Sequence, residues 1–292
     1  MRFIPGSVVE LMAAQHGESQ NMTETIAIIR HQLGYDVPIY VQYFRWLGAV
    51  FRGDLGKSLW TSRSIGQDFL QRLPVSVELG ILAIIVALLV AFPVGILSAI
   101  RQDTMTDYIT RGIAILFISV PTFWVGTMII VYGPKYFNWM PPVVYKPFFE
   151  DPVYNLKQFI IPALILGMSM SGTTMRMTRT MMLEVLRQDY IRTAWAKGLK
   201  ERVVISRHAL KNALIPVVTI VGMQLPLLVG GSVILEMIFG LPGIGRYFVF
   251  ALLQRDYPIV SAINLVAATF VMLCNLGVDI FYAYLDPRVQ YR

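Results

Sequence analysis

The sequence predicts an all-α polytopic membrane protein, on three observations. First, 55% of its 292 residues are hydrophobic and only 15% are charged, with a mean hydropathy of +0.58. A soluble domain carries about 45–50% apolar and about 25% charged residues, so this surplus of apolar surface has no aqueous shell to cover it. The same figures exclude a disordered chain. Second, five stretches free of Asp, Glu, Lys and Arg run over 79–100, 112–134, 158–175, 212–235 and 257–278, each 18–24 residues long. Third, Lys and Arg concentrate in every other segment between those stretches, and so on one side.

About 20 helical residues cross a hydrocarbon core of about 30 Å, so four stretches fit as spans directly. A charge at the bilayer centre costs roughly 2.5–3.5 kcal/mol, which is why freedom from charge marks a span. The 158–175 stretch is short and is expected to continue as helix through Arg176, whose long stem reaches the interface. Pro93, Pro121, Pro162, Pro216 and Pro226 lie inside the stretches and read as kinks, because neighbouring helices satisfy the freed carbonyls.

Segments 101–111, 176–211 and 279–292 hold 13 Lys and Arg in 61 residues, against 5 in 44 for 135–157 and 236–256. The first set is expected to face the cytoplasm, with the C-terminus, and five spans then place residues 1–75 outside. Nothing apolar in the first 15 residues serves as a signal peptide or starts that translocation. A further span before Met1 is therefore expected in the natural chain.

Residues 21–72 read as a small extracytoplasmic helical unit. Asn21 or Thr23 caps a helix with Ile26, Ile29 and Leu33 on one face, and Gly34 ends it. A second amphipathic stretch, 40–51, puts Tyr43, Trp46, Leu47 and Val50 on one side, either packed on the spans or docking a soluble partner. Gly56-Lys57-Ser58 imitates the end of a phosphate-binding loop, but Phe51 stands where the first Gly is needed, so it reads as a turn. A transporter without such a loop borrows ATP hydrolysis from a partner or uses an ion gradient.

Other chemistries find little support. The one cysteine, Cys274, allows no internal disulfide or thiolate zinc cluster, and His16, His31 and His208 lie outside the charge-free stretches. No nucleophile, base or metal set clusters in a span, so neither an intramembrane enzyme nor a cofactor is expected. A secondary transporter, the alternative reading, would show span repeats and an embedded acid. The net charge of +7 comes largely from 176–211, with nine positive and three negative residues, a short basic helical loop beside a membrane rather than a nucleic-acid face. Ser119, Thr122, Ser169, Ser171, Thr219, Gln224 and Asn264 are among the polar residues in spans that a path could use, though each is expected to bond between helices.

Within 176–211, Leu183, Leu186, Tyr190, Ala194 and Ala196 recur at roughly helical spacing and Gly198 marks a turn between two helices. The small residues Thr193, Ala194 and Ala196 around that turn would admit a partner surface close to the backbone. Asp189-Tyr190-Ile191-Arg192-Thr193-Ala194-Trp195-Ala196-Lys197-Gly198-Leu199, followed by Arg207-His208-Ala209-Leu210-Lys211-Asn212-Ala213-Leu214-Ile215-Pro216, resembles the coupling loop of dipeptide and oligopeptide ABC importer permeases. Further matches are Glu236-Met237-Ile238-Phe239-Gly240-Leu241-Pro242-Gly243-Ile244-Gly245-Arg246, Arg255-Asp256-Tyr257-Pro258 and Leu285-Asp286-Pro287-Arg288. Gln32-Leu33-Gly34-Tyr35-Asp36 and Arg52-Gly53-Asp54-Leu55-Gly56-Lys57-Ser58 resemble the outer segment of the B-type permease. Arg192-Thr193-Ala194 stand where the wider superfamily has Glu-Ala-Ala. Phe3-Ile4-Pro5-Gly6 resembles the segment that follows the family's first membrane helix.

The resemblance implies the type I ABC importer transmembrane fold, six spans in the family and five visible here. It divides the chain into an outer helical segment over 1–73, a transmembrane domain over 74–285 with its EAA-type cytoplasmic loop at 176–211, and a cytoplasmic tail over 286–292. It implies an inner-membrane permease, not itself an ATPase, that forms half the path for peptides or a related small solute such as glutathione or a nickel chelate. The implied partners are a C-type permease, two cytoplasmic ATPase subunits and an extracytoplasmic binding protein. The implied contact for the ATPase is Asp189, Tyr190, Arg192, Thr193, Ala194, Ala196, Lys197, Gly198 and Leu199.

Overall fold

The computed structural model describes residues 26, 27, 31, 36–142, 144–230 and 232–285, and these are nearly all helical. They fall into two compact units, Met1–Gln71 with Tyr247–Val266, and Arg72–Arg246 with Ala267–Arg292.

In the first unit, α1 (Ile39–Phe51) follows Pro38, whose ring presets its φ at −55°. Trp46, Leu47 and Val50 are half-buried, whereas Tyr43 is exposed, so the expected apolar face is covered only in part. The capping residues Asn21 and Thr23, and Ile29, Leu33 and Gly34, lie outside the described residues. Gly56-Lys57-Ser58 is not itself the turn expected of it but leads into one: Lys57 pairs with Ser64 in an isolated antiparallel bridge, and the chain turns over 59–61. Buried Ser58 donates its hydroxyl to Asp256 Oδ2 at 2.6 Å, and the Leu59 N–H reaches the same oxygen at 3.1 Å.

The second unit takes most of α2 (Ile65–Ile100), then α3 (Met105–Ser119), α4 (Thr122–Phe137), α5 (Pro152–Leu186), α6 (Asp189–Ala196) and α7 (Glu201–Gly222). The short α8 (Leu227–Gly230) and α9 (Val233–Ile238) precede α10 (Ile244–Leu253) and α11 (Tyr257–Leu285), which continue into or from the first unit. Helices α2, α5, α7 and α11 are each long and apolar enough to cross a membrane, and α3 with α4 passes only as a pair. Asp151 caps α5 by accepting the Tyr154 N–H at 3.1 Å, with Pro152 in the first turn. As expected, α5 runs on past Arg176.

Two prolines break their helices where kinks were expected. The α3/α4 pair bends by 84° at Val120-Pro121. Val120, at φ −82° and ψ 121°, takes the extended conformation that a following proline imposes. At Pro226 the chain leaves the helix for a turn over 223–226. Pro74, Pro93, Pro162 and Pro216 stay inside helices. The fourth span is also displaced: α7 begins at Glu201, not 212, because helix continues through charged residues that end a charge-free stretch.

Close backbone approach packs α5 against its neighbours. A Cβ on Gly172 would sit 2.8 Å from Ala114 O, and one on Gly95 would sit 2.8 Å from Met175 O. Val75, Leu79, Phe159, Ala163 and Leu235 form one apolar core, and Ala91, Ala114 and Met175 form another.

Candidate functional site

Helix α5 ends at Leu186, and Arg187 and Gln188 turn the chain before α6 begins. This break resets the helical phase, so α6 presents a single inward edge. Ile191 (0% exposed) and Ala194 (7%) stand three apart on that edge and join Ala99, Met182, Val204, Ala209 and Ala213 in a core. Full burial of an Ile side chain contributes about 1.5–3 kcal/mol, which anchors an eight-residue helix that would not persist alone in water. On one flank the Tyr190 hydroxyl accepts a hydrogen bond from Asn212 Nδ2 of α7 at 2.8 Å.

The outward edge carries Asp189, Arg192, Thr193 and Ala196, all exposed. Arg192 lies 3.6 Å from Asp189, and Thr193 donates its hydroxyl to the Asp189 carbonyl at 3.0 Å. Such an exposed pair is worth about 0–1 kcal/mol and leaves both charges free to be redirected. Tyr190, Trp195 and Leu199 are each about 40% exposed and frame this edge with apolar surface. Thus Thr193 and Ala196 are the small residues that this edge exposes. Ala194, expected beside them, is turned into the core, because its phase follows the break at 187–188 and not the pattern of α5.

Gly198, at φ +76°, closes α6. Its N–H bonds the Trp195 carbonyl at 2.9 Å and the Leu199 N–H bonds the Ala194 carbonyl at 3.4 Å, the paired bonds of a Schellman cap. Nothing lies within 4 Å of where its Cβ would be, so the backbone angle alone calls for glycine. Lys197 and Lys200 flank the turn, both exposed. Beyond it, the first part of α7 is π-helical over Val204–Ala209 and includes His208.

Among the described residues three carboxylates are buried, Asp107, Glu236 and Asp256, and sequence reasoning marked none of them as such. Asp107 is fully buried and receives Arg179 Nε at 2.8 Å and Arg179 Nη2 at 2.7 Å. Both residues fall between charge-free stretches, where solvated charges are the default. Glu236 is fully buried as well. Its Oε1 accepts from Ser76 Oγ at 2.7 Å and its Oε2 from the Arg246 N–H at 3.0 Å. Burial pushes the Glu236 carboxyl up, and the bonds from Ser76, Arg246 and Gly245 oppose that shift. The carboxylate so placed caps the N-terminus of α10, where the first N–H groups have no carbonyl partner within the helix and favour a negative charge.

Of the polar residues in spans, Ser171 donates to the Met168 carbonyl at 2.7 Å and Asn264 to the Val260 carbonyl at 2.9 Å, each within its own helix. Gln224 donates across to Thr174 Oγ1 at 3.1 Å. Thr219 lines an apolar hollow of about 400 Å³ between α7 and α11, with Cys274 opposite.

A family model described as "Binding-protein-dependent transport system inner membrane component" matches residues 91–291. The dipeptide transport system permease protein DppB of Alkalihalophilus pseudofirmus is 38% identical over 100% of this chain and 92% of its own. DppB of Escherichia coli K12 is 36% identical with the same coverage. A Brucella abortus (strain 2308) relative named for a peptide transport system permease is 40% identical over 100% of this chain and 91% of its own. Among solved structures, an inward-facing MetNI methionine ABC transporter chain superposes with a TM-score of 0.60 at 14% identity, covering 75% of this chain and 96% of that one. The fold agrees with that of a type I importer, and the family match with these full-length relatives places the chain among the binding-protein-dependent transport system inner-membrane components, the permease subunits of ABC importers.

Proposed function

We propose that this permease carries peptides, and that α6 with the Gly198 turn is where a cytoplasmic ATPase subunit delivers its stroke. The supporting observation is the division of labour on α6. Ile191 and Ala194 anchor it in the inner ends of the helices while Arg192, Thr193 and Ala196 face outward. A short helix held by one face in a core, with the small Thr193 and Ala196 exposed on the other, is a lever tip that a groove can grip. ATP binding closes two ATPase subunits, the tip moves with them, and the spans alternate between outward and inward openings. In this reading 101–111, 176–211 and the tail 286–292 face the cytoplasm, and residues 1–73 face outward towards the binding protein. A C-type permease completes the path within the cell inner membrane.

Peptide cargo takes its support from the names of the relatives and fits the charge-free stretches within the spans, since a peptide backbone needs hydrogen bonds more than a counter-ion. Co-expression with a C-type permease and the ATPase subunits tests the reading. Affinity capture of the chain brings down the ATPase subunits, Ala196→Trp abolishes that capture, and radiolabelled dipeptide uptake into proteoliposomes falls with it. Unchanged capture and uptake by Ala196→Trp would refute the contact.

A further inference from the structure

We infer that Arg179 and Asp107 are positioning residues for energy coupling: their pair ties the inner ends of α2, α3 and α5 into one platform beneath α6, so the stroke moves three helices together. Asp107 sits in the first turn of α3 and shows no exposed surface. Its carboxylate collects donors from each neighbour. Arg179 of α5 offers a two-pronged contact at 2.8 and 2.7 Å, Ser98 of α2 donates to Oδ1 at 2.5 Å, and the Asp103 N–H of the α2–α3 turn reaches Oδ2 at 3.1 Å. The planar guanidinium fork makes the α3–α5 joint directional, because both oxygens must be met at once.

This joint lies against the seat of α6. Ser98 precedes Ala99, and Arg179 lies one helical turn before Met182, and both Ala99 and Met182 belong to the core that holds Ile191 and Ala194. A push on α6 therefore reaches α2 and α5 directly, and α3 through Asp107. The same core includes Val204 and Ala209 of the π-helical Val204–Ala209, a wide-turned geometry that is frequent at functional sites. A buried ion pair seldom adds stability over apolar packing of equal volume, so its contribution here lies in the geometry of the joint.

The inference rests on α6 being the ATPase contact, and its test separates the two. The complete importer is reconstituted with its ATPase subunits, second permease and binding protein, and dipeptide uptake and ATP hydrolysis are measured together. Asp107→Asn removes the charge at nearly constant shape, Arg179→Lys keeps the charge without the fork, and Ser98→Ala removes one donor and leaves the pair. The expected result is a fall in uptake per ATP hydrolysed of at least ten-fold for Asp107→Asn, several-fold for Arg179→Lys and about two-fold for Ser98→Ala, with ATP hydrolysis retained. A purely structural role lowers melting temperature and complex yield in that order and leaves the ratio constant, which overturns the inference. Should Asp107→Asn fail to assemble, the two milder variants decide. A wild-type chain that recruits no ATPase subunit refutes the coupling contact itself, and an intact wild type with unaltered variant ratios refutes only the tie.

Discussion

Ser76 and Glu236, 160 residues apart in the chain, share a 2.7 Å hydrogen bond inside the second unit, and the Ile244 N–H closes the group by donating to the same Ser76 oxygen at 2.8 Å. One carboxylate and one hydroxyl thereby join α2 and α9 to the start of α10. Removing either leaves buried donors without an acceptor, a penalty of about 1–3 kcal/mol each. Thermal melting of the detergent-solubilised permease is expected to drop for both Glu236→Ala and Ser76→Ala. The larger loss belongs to Glu236→Ala, which strands two backbone N–H groups and one hydroxyl.

The same carboxylate gives a pH signature. Burial raises its value above that of an unfolded glutamate, so the folded protein binds this proton more tightly. Its contribution is fully present below the unfolded value and is lost as pH rises through the raised folded value. The difference in melting temperature between wild type and Glu236→Gln is expected to shift against the wild type across that window. A difference independent of pH would rule the linkage out.

Gly243 and Gly112 separate packing from composition. A Cβ on Gly243 would lie 2.4 Å from Glu236 Oε2 and 2.6 Å from Ser76 Oγ, whereas one on Gly112 meets nothing within 4 Å. Gly243→Ala is expected to cost more than about 1 kcal/mol by displacing that pair. Gly112→Ala, in the helix α3, is expected to be neutral or to stabilise by about 0.4–1 kcal/mol. Melting curves of the two variants, recorded side by side, check both.

Gly198 offers a test confined to the turn. A non-glycine residue held at its positive φ costs roughly 1–2 kcal/mol, and a β-branched one more. Gly198→Val is expected to insert in the membrane at normal levels while uptake is lost and ATP hydrolysis continues uncoupled. Normal uptake by this variant would remove the turn from the coupling path.

The spans were legible because freedom from charge is a local property of the chain, and so was the Gly198 turn, because a positive φ selects its residue type. What was not legible depends on partners distant in sequence or on a single dihedral. A proline that kinks a helix and one that breaks it look alike until the preceding ψ is known, as Val120 shows at 121°. The inward turn of Ala194 hangs on a two-residue interruption at 187–188 that shifts the phase of an eight-residue helix. Arg179 and Asp107, 72 residues apart, carry no local sign that each will neutralise the other. Counting charges assigned both to solvent, and so hid a buried pair beneath the candidate coupling helix.

The central claim is that the outward edge of α6 touches an ATPase subunit while its inward edge does not. Cysteine cross-linking in a Cys274→Ser background reads this directly, since Cys274 is the one native cysteine of the chain. With single cysteines placed at 193, 196 and 191 in turn, and a reactive partner cysteine along the ATPase groove, Thr193→Cys and Ala196→Cys are predicted to cross-link in the assembled complex. Ile191→Cys is predicted to stay unreacted. Cross-linking at 191 with silence at 193 and 196, or no adduct from any of the three in a transporting complex, would contradict the account.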